Sequence, residues 1–352
     1  MASSIRYPYQ KFISEEHRAS LGELYPDKTF FIIRMRNMTS GLGAILSHIL
    51  RQLDYMEKTY GEDTIPVMDM SCYWNTYVER EETGIVNWWE YYFDQPTFYG
   101  IDAAYNAKNV IFNNAQFDED WFIKPDYYDK LFDDEKYCKR MQDLWRKYIH
   151  VNGRILQKVD AVQAQIFAGA NKVLGMTHRG GGYRTQISIG EPKQPTFEEE
   201  LDINEEKMRE WNCDHIFFAT DDKIDFDIAK ERFGDKLLSA PIVRYDGHVD
   251  QHARISMNRE NDKYLKGEDY MMDICLLARC HCLVTARHGV AWPVLAYNGG
   301  KFEHTYNWGL GRFNRDDYIK GSFAKNVLRG YRRSTLGGAE LVDPYENYEI
   351  EV

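Results

Sequence analysis

Residue types suited to binding an anion are concentrated between Lys172 and Arg184, where the chain reads KVLGMTHRGGGYR. An apolar run of strand type ends there in Arg179, and three glycines, residues 180–182, follow at once. A guanidinium matches phosphate oxygens in a bidentate way, and glycine lets a ligand approach the backbone closely. The segment therefore predicts a diphosphate-binding strand end with Arg179 at its centre.

Two further strand-like runs end in polar residues. HIFFATDD ends in Asp221 and Asp222, and CLVTARHG leads into Arg287. Helical patterns separate these runs, and strands that alternate with helices predict a parallel sheet. Ligands of such sheets bind at the carboxyl ends of the strands, so we expect Arg179, Asp222 and Arg287 to share one edge.

The helical patterns carry their own boundary signals. One begins at Pro195–Thr196 and continues to Trp211, and another runs from Ile224 to Phe233 before Gly234. Proline in a first turn and glycine after a last turn are typical of helix ends. We also expect a buried helix over GEDYMMDICLLARC, a strand from Lys236 to Val243, and a helix after the CLVTARHG turn.

The first half of the chain predicts a second unit of the same kind. Phe30 to Ile33 and Ile65 to Met70 read as strands, and the residues from Leu42 to Met56 follow the spacing of an amphipathic helix. Gly41 and Gly43 lie in the loop that enters this helix. Two interpretations of that loop stay open: a plain strand-to-helix turn, or a loop that faces the second domain across a cleft.

Residues 133–169 predict a helical segment with a short break near Asn152–Gly153. This segment would bridge the two units. With 352 residues, two domains are the natural expectation, an N-terminal one over 1–165 and a C-terminal one over 166–352. The aromatic run VNWWEYYFDQP belongs to the first, where packing is favoured over a sugar-binding platform.

Composition excludes several classes of function. The formal net charge of -11 and the pI near 5.5 argue against partners such as nucleic acid or an anionic membrane. No apolar run approaches the roughly 18 residues that span a bilayer, and the first residues lack an apolar signal core. We therefore expect a cytoplasmic protein with no integral membrane segment.

No metal site is expected, although three patterns invite one. The six cysteines show no paired ligand spacing, and Cys280 and Cys282, which flank His281, fit small buried residues better than ligands. Asp221–Asp222 fits a helix cap better than a metal pair. HVDQH, residues 248–252, fits a solvated loop over the acceptor side better than a metal triad.

The order of these motifs resembles the fucosyltransferase superfamily that includes the α1,6-fucosyltransferases, the rhizobial nodulation fucosyltransferase and the protein O-fucosyltransferases. The resemblance spans roughly residues 30–315 and is closest to bacterial members found among surface-polysaccharide genes. It implies an α/β fold of GT-B type, in which two Rossmann-like domains with parallel sheets face each other across a cleft. It also implies that the N-terminal domain, residues 1–165, is the acceptor side, and that the C-terminal domain, residues 166–352 with a C-terminal tail, holds GDP-fucose.

The resemblance assigns roles to particular positions. Arg179 matches the family arginine at the donor diphosphate and is the catalytic candidate, Asp273 matches an acidic residue that contacts guanine, and the turn from Thr285 to Gly289 matches the phosphate-side turn. Thr177 stands where many members have a histidine, and Asp222 is the last residue of a motif similar to the ATDD motif of the family. The full set of implied donor-binding residues is Thr177, His178, Gly180, Gly181, Asp222, Asp273, Thr285, Arg287, His288 and Gly289.

The chain also departs from the family pattern. The aspartate that usually follows the arginine is replaced within the glycine run at Gly182, His178 is additional, and Arg287 with His288 replaces a serine pair. Added positive charge at Arg287 could compensate at the phosphates. For that residue two roles stay open: a direct contact with the diphosphate, or a structural bond to a loop carbonyl or carboxylate.

The expected function is an inverting, metal-independent transfer of fucose from GDP-fucose to a glycan acceptor, with no cofactor. A guanidinium and backbone amides stabilise the departing nucleotide without a metal, and a carboxylate or histidine, unassigned here, would deprotonate the acceptor. Because the aspartate is missing, two alternatives stay open. One is a non-catalytic module that binds a nucleotide or glycan, and the other is a transferase for a different nucleotide sugar.

Overall fold

A computed structural model describes residues 16–35, 41–71, 76–82, 84–115, 126–180, 192–245, 257 and 259–313. These residues form eleven strands: β1 (His17–Ala19), β2 (Phe30–Met35), β3 (Ile65–Met68), β4 (Phe93–Asp94), β5 (Val110–Ala115), β6 (His150–Val151), β7 (Val173–Thr177), β8 (His215–Ala219), β9 (Leu237–Leu238), β10 (Cys282–Ala286) and β11 (His304–Trp308). They also form nine α-helices: α1 (Leu42–Tyr60), α2 (Ile101–Tyr105), α3 (Asp126–Asp133), α4 (Glu135–Tyr148), α5 (Gly153–Ile166), α6 (Phe197–Glu210), α7 (Lys223–Phe233), α8 (Asp262–Ala278) and α9 (Ala291–Asn298).

The N-terminal sheet has the order β1-β5-β2-β3. β2 is parallel to both β3 and β5, so that Ile32 pairs with Val67 on one side and Phe112 on the other. β1 lies antiparallel on β5 at the edge. The unit is therefore a mainly parallel sheet, as the alternation of strands and helices predicts.

The C-terminal sheet is fully parallel and has the order β11-β10-β7-β8-β9. Met176 of β7 pairs with Val284 of β10 and Phe218 of β8. The carboxyl ends of β7, β8 and β10 therefore meet at one edge, which places the segments after Thr177, Ala219 and Ala286 together.

The two sheets share one buried hydrophobic cluster. In β2, Phe31 and Ile33 belong to this cluster, whereas the alternate residues pack on the outer face of the N-terminal sheet. Phe217 and Leu283 contribute from the C-terminal sheet in the same alternating way. Helices reinforce the junction: α1 and α4 pack on α9, and α5 packs on α8.

The α/β class with two units built on parallel sheets is thus confirmed, and so are most predicted elements. The strand predicted from Lys236 to Val243 is wrong in length, since only Leu237 and Leu238 pair with β8. The break predicted near Asn152 contains β6, which pairs antiparallel with β4. The domain boundary at residues 165/166 stays a prediction.

Candidate functional site

A small polar network joins two strand ends of the C-terminal sheet. Thr177 Oγ1 lies 2.7 Å from Thr285 Oγ1 and 3.0 Å from His288 Nε2, and all three side chains are buried. Val290 N donates to His288 Nδ1, so the neutral ring carries its hydrogen on Nε2 and donates it to Thr177. The network fixes the turn after β10 against the end of β7.

His288 is uncharged in this setting. Burial lowers its pKa from 6.5 to about 3, and the positive charges of Arg179 and His178 act in the same direction. Arg179 is half-buried two residues beyond Thr177, at the edge of the sheet. The edge therefore combines a guanidinium with a neutral imidazole, so its local charge is set by Arg179.

His178 lies behind this edge. Its side chain is fully enclosed; Nδ1 is 2.6 Å from Glu200 Oε2 in α6, and Nε2 is 2.8 Å from Asp225 Oδ2 in α7. Both ring nitrogens bond to carboxylates, and only a protonated imidazole donates from both. These two bonds hold the side chain between α6 and α7, away from the edge, and they anchor the backbone of the neighbouring Arg179.

Asp222 caps a helix, as its position after a strand predicts. Its Oδ1 accepts the N–H groups of Ile224 at 2.9 Å and Asp225 at 3.2 Å, and the residue is fully buried. A carboxylate in this role satisfies the open amides of the first turn of α7. Gly180 is partly exposed at the edge, whereas Gly181 lies outside the described residues.

Asp273 and Arg244 are two buried side chains of opposite charge that interact electrostatically. Burial raises the pKa of Asp273 well above its ordinary value, while Arg244 acts in the opposite direction. Oδ1 of Asp273 and Nε of Arg244 are both enclosed, and neither has a hydrogen-bond partner among the described residues. The Arg244 guanidinium lies 3.9 Å from the ring centroid of Phe226. Two unsatisfied polar atoms of opposite character are an arrangement that a polar ligand can complete.

The turn after β10 meets the N-terminal unit at the start of α1. A Cβ atom added to Gly43 would overlap the carbonyl oxygen of Gly289 and the hydroxyl of Tyr270, closer than van der Waals contact allows. Gly41 is the N-cap of α1 and has open space around its Cβ position. Of the two predicted cleft-loop glycines, only Gly43 therefore makes a close interdomain contact.

Arg287 bonds to carboxylates of α3. Its Nη1 and Nη2 hold the two oxygens of Asp133 at 2.8 and 2.7 Å, and Nη1 also bonds to Asp129 at 2.5 Å. Arg312 binds the other oxygen of Asp129 at 2.9 Å. Of the two roles left open for Arg287, the described contacts show the bond to a carboxylate. They leave its relation to a diphosphate untested.

Four of these partners were missed by the sequence analysis, namely Asp129, Asp133, Arg244 and Arg312. One signal was present: Asp129 and Asp133 have the i,i+4 spacing that places two carboxylates on one helical face, where they repel unless a cation binds. Arg244 and Arg312 carry no local signal, because their partners are distant in sequence.

Three further features of the sequence were considered as binding or metal sites: the aromatic run, residues 248–252 and the clusters of possible metal ligands. The rings of Trp88, Trp89, Tyr92 and Phe93 are buried, so they pack in the core and form no platform. Residues 248–252 lie outside the described part of the chain. Within the described part, no three His, Cys, Asp or Glu side chains are grouped to hold a metal ion, and no helix is long and apolar enough to cross a membrane.

No protein-family model and no curated protein matches this chain. Several solved structures do. Fucosyltransferase NodZ from Bradyrhizobium is 14% identical, with a TM-score of 0.44 over 77% of this chain and 93% of that chain. A mutant of Arabidopsis thaliana FUT1 in complex with GDP is 10% identical, with a TM-score of 0.46 over 84% and 73%. POFUT1 in complex with GDP is 11% identical, with a TM-score of 0.46 over 80% and 98%.

At such identities and scores, the likeness does not indicate which residues of this chain bind a ligand.

Proposed function

We propose that this chain is a glycosyltransferase that transfers fucose from GDP-fucose to a glycan acceptor, with inversion and without a metal ion. The observation that carries the proposal is the edge of the C-terminal sheet, where half-buried Arg179 adjoins the Thr177–Thr285–His288 network. This edge is the place where parallel α/β sheets bind ligands. The motifs that give the chain its resemblance to fucosyltransferases lie at the same edge.

The diphosphate would lie between Arg179 and the turn of residues 287–290. That turn leads into α9, whose dipole favours an anion at its N-terminal end. Because His288 is uncharged, the positive charge beside its ring comes from Arg179 and not from the imidazole. A guanidinium with preorganised amides stabilises a departing nucleotide directly, which is why no metal is required in this proposal.

The guanine base would bind at Asp273. Guanine presents two adjacent N–H donors on one edge, and Oδ1 of Asp273 is a buried acceptor that has no partner among the described residues. Arg244 Nε is a buried donor in the same condition and would bond to a purine acceptor. Uracil has only one such N–H, so this pair of groups favours GDP over UDP.

The acceptor glycan would enter from the side of the N-terminal unit. Gly43 brings the start of α1 against Gly289, so the N-terminal unit borders the turn that we assign to the phosphates. Attack on the sugar from the face opposite the nucleotide gives inversion, and it requires a base that takes the acceptor proton. We assign no residue to that base.

A non-catalytic module is the second candidate, because glycine occupies the position where the related enzymes carry an aspartate. Thermal shift with GDP-fucose, GDP, UDP and UDP-glucose, followed by measurement of GDP release, separates the candidates. The proposal expects stabilisation by the two guanine nucleotides and release of GDP in the presence of a glycan mixture. Stabilisation without release under any acceptor would favour the binding module, and a response to UDP-glucose alone would contradict the donor assignment.

A further inference from the structure

Asp129 and Asp133 of α3 bring carboxylates from the N-terminal half of the chain to the phosphate-side turn. Asp133 binds Arg287 end-on through both Nη atoms, at 2.7 and 2.8 Å. Asp129 takes the second hydrogen of Nη1 at 2.5 Å and uses its other oxygen for Arg312. The two carboxylates are four residues apart on one helix, and the guanidinium between them relieves their repulsion.

These bonds leave a defined part of Arg287 unused. A guanidinium has five N–H donors, and three of them are occupied by the carboxylates. The two that remain are Nε–H and the second hydrogen of Nη2, which together form the side-on pair of the fork. Nε is enclosed, and within the part of the chain that the structure describes it has no hydrogen-bond partner. A buried donor in this state is costly unless an acceptor arrives.

The surroundings of Arg287 also restrict its orientation. Its guanidinium lies over the ring of Phe132 at 5.4 Å, and its side chain is only 16% exposed. Its carbonyl accepts a hydrogen bond from Gln194 at 3.1 Å. An arginine fixed in this way has already lost most of its rotamer freedom, so binding an anion to its two remaining N–H donors costs little further side-chain entropy.

We propose that Asp133, together with Asp129, is a positioning residue for the donor: the two carboxylates hold Arg287 so that its side-on N–H pair binds an oxygen of the donor diphosphate. This inference rests on the proposed function, because it takes the turn of residues 287–289 as the phosphate side. Helix α3 thereby sets the affinity for the donor without touching it. Asp133 acts through Arg287 alone.

The test is a double-mutant cycle on binding of GDP, measured by titration calorimetry with the full chain. Asp133 is 58% exposed, so Asp133→Asn is compatible with folding, and Asp133→Glu restores the carboxylate. Asp143→Asn is the matched control, since Asp143 is an exposed carboxylate bound to Arg146 in α4, far along the chain from the turn.

We expect Asp133→Asn to weaken GDP binding about 5- to 10-fold, the scale of one charge-assisted contact that loses its orientation. Asp133→Glu should recover part of that loss, and Asp143→Asn should leave the affinity unchanged. In an Arg287→Ser background, Asp133→Asn should have no further effect.

Three results would overturn the inference. Tighter binding by Asp133→Asn would mean that the carboxylates compete with the diphosphate, unchanged binding would mean that α3 has no influence, and an undiminished effect in the Arg287→Ser background would mean that Asp133 acts by another route. In each case the proposed function survives if the unmutated chain binds GDP. If the unmutated chain binds no GDP, the proposed function and this inference fail together.

Discussion

The α-carbon of Gly43 at the start of α1 lies against the backbone of Gly289 in the turn after β10, with no room for a side chain between them. The two residues follow strands of different sheets, β2 and β10, and are far apart in sequence. This contact places the first turn of an N-terminal helix directly beside the turn that we assign to the donor phosphates. It makes the junction of the two units part of the candidate site.

Gly43→Ala should therefore destabilise the chain by about 1–3 kcal/mol, the usual cost of overpacking, because neither the Gly289 carbonyl nor the helix backbone can move freely. The free energy of unfolding, measured with urea, checks this. Gly41→Ala is the matched control, since its Cβ meets only the Tyr77 hydroxyl, at 4.0 Å. Equal stability of the two variants would show that the close approach is not maintained in solution.

The proposed contact between Asp273 and guanine predicts that the affinity for GDP depends on this side chain. Asp273→Asn should reduce stabilisation by GDP, because the two N–H donors of guanine favour the ionised form of Asp273, and an amide has no ionised form to offer. The unmutated chain should respond far more to GDP than to UDP in a thermal-shift titration. Equal responses to the two nucleotides, or an unaltered GDP response in Asp273→Asn, would contradict the proposed contact between Asp273 and guanine.

The raised pKa of Asp273 gives a second observable for the ligand-free chain. The folded chain retains a proton that the unfolded chain has lost, so the free energy of unfolding should fall as pH rises from about 4 toward that raised pKa. Asp273→Asn cannot lose this proton and should lack that part of the fall. Urea unfolding at closely spaced pH values compares the two slopes, and parallel slopes would contradict the assignment.

His288 predicts a pH effect of opposite sign. Its pKa is lowered to about 3, so the unfolded chain takes up a proton below pH 6.5 that the folded chain does not. Stability should fall as pH drops from about 6.5 toward 3, with a slope of about 1.4 kcal/mol per pH unit for one proton. His288→Asn should reduce this slope. A slope unchanged in His288→Asn would mean that the ring is protonated in the folded chain.

Local patterns were sufficient to predict much of the fold. The spacing of apolar residues in α1 gives the correct buried face, and Asp222 is an N-cap as its position after a strand predicts. The helix predicted from Pro195–Thr196 begins at Phe197, so Pro195 precedes the N-cap Thr196 and does not lie in the first turn. The sequence analysis missed β5, which is central to the N-terminal sheet, because its apolar run of Val110 to Phe112 is short and ends in two asparagines.

The candidate site was harder to predict, since its contacts join distant segments. The shared strand edge could be expected from parallel topology, and Arg179 and Thr285 lie at that edge. Nothing near Arg287 in sequence indicates that α3 supplies its partners, and nothing near His178 indicates Glu200 and Asp225. Such contacts depend on how distant segments pack in the folded chain, and the residues next to each partner in sequence do not indicate this packing.

The central claim is that Arg179 stabilises the departing nucleotide without a metal ion. The most direct test is the rate of GDP release from GDP-fucose in the presence of EDTA and a mixture of glycan acceptors. This rate is compared between the unmutated chain and Arg179→Ala. The exposed Arg209→Ala is the matched control. We expect turnover by the unmutated chain and the control, and a loss of about 10²-fold or more in Arg179→Ala with an unchanged melting temperature. Turnover of Arg179→Ala within a few-fold of the unmutated chain, or activity that EDTA abolishes, would contradict the account.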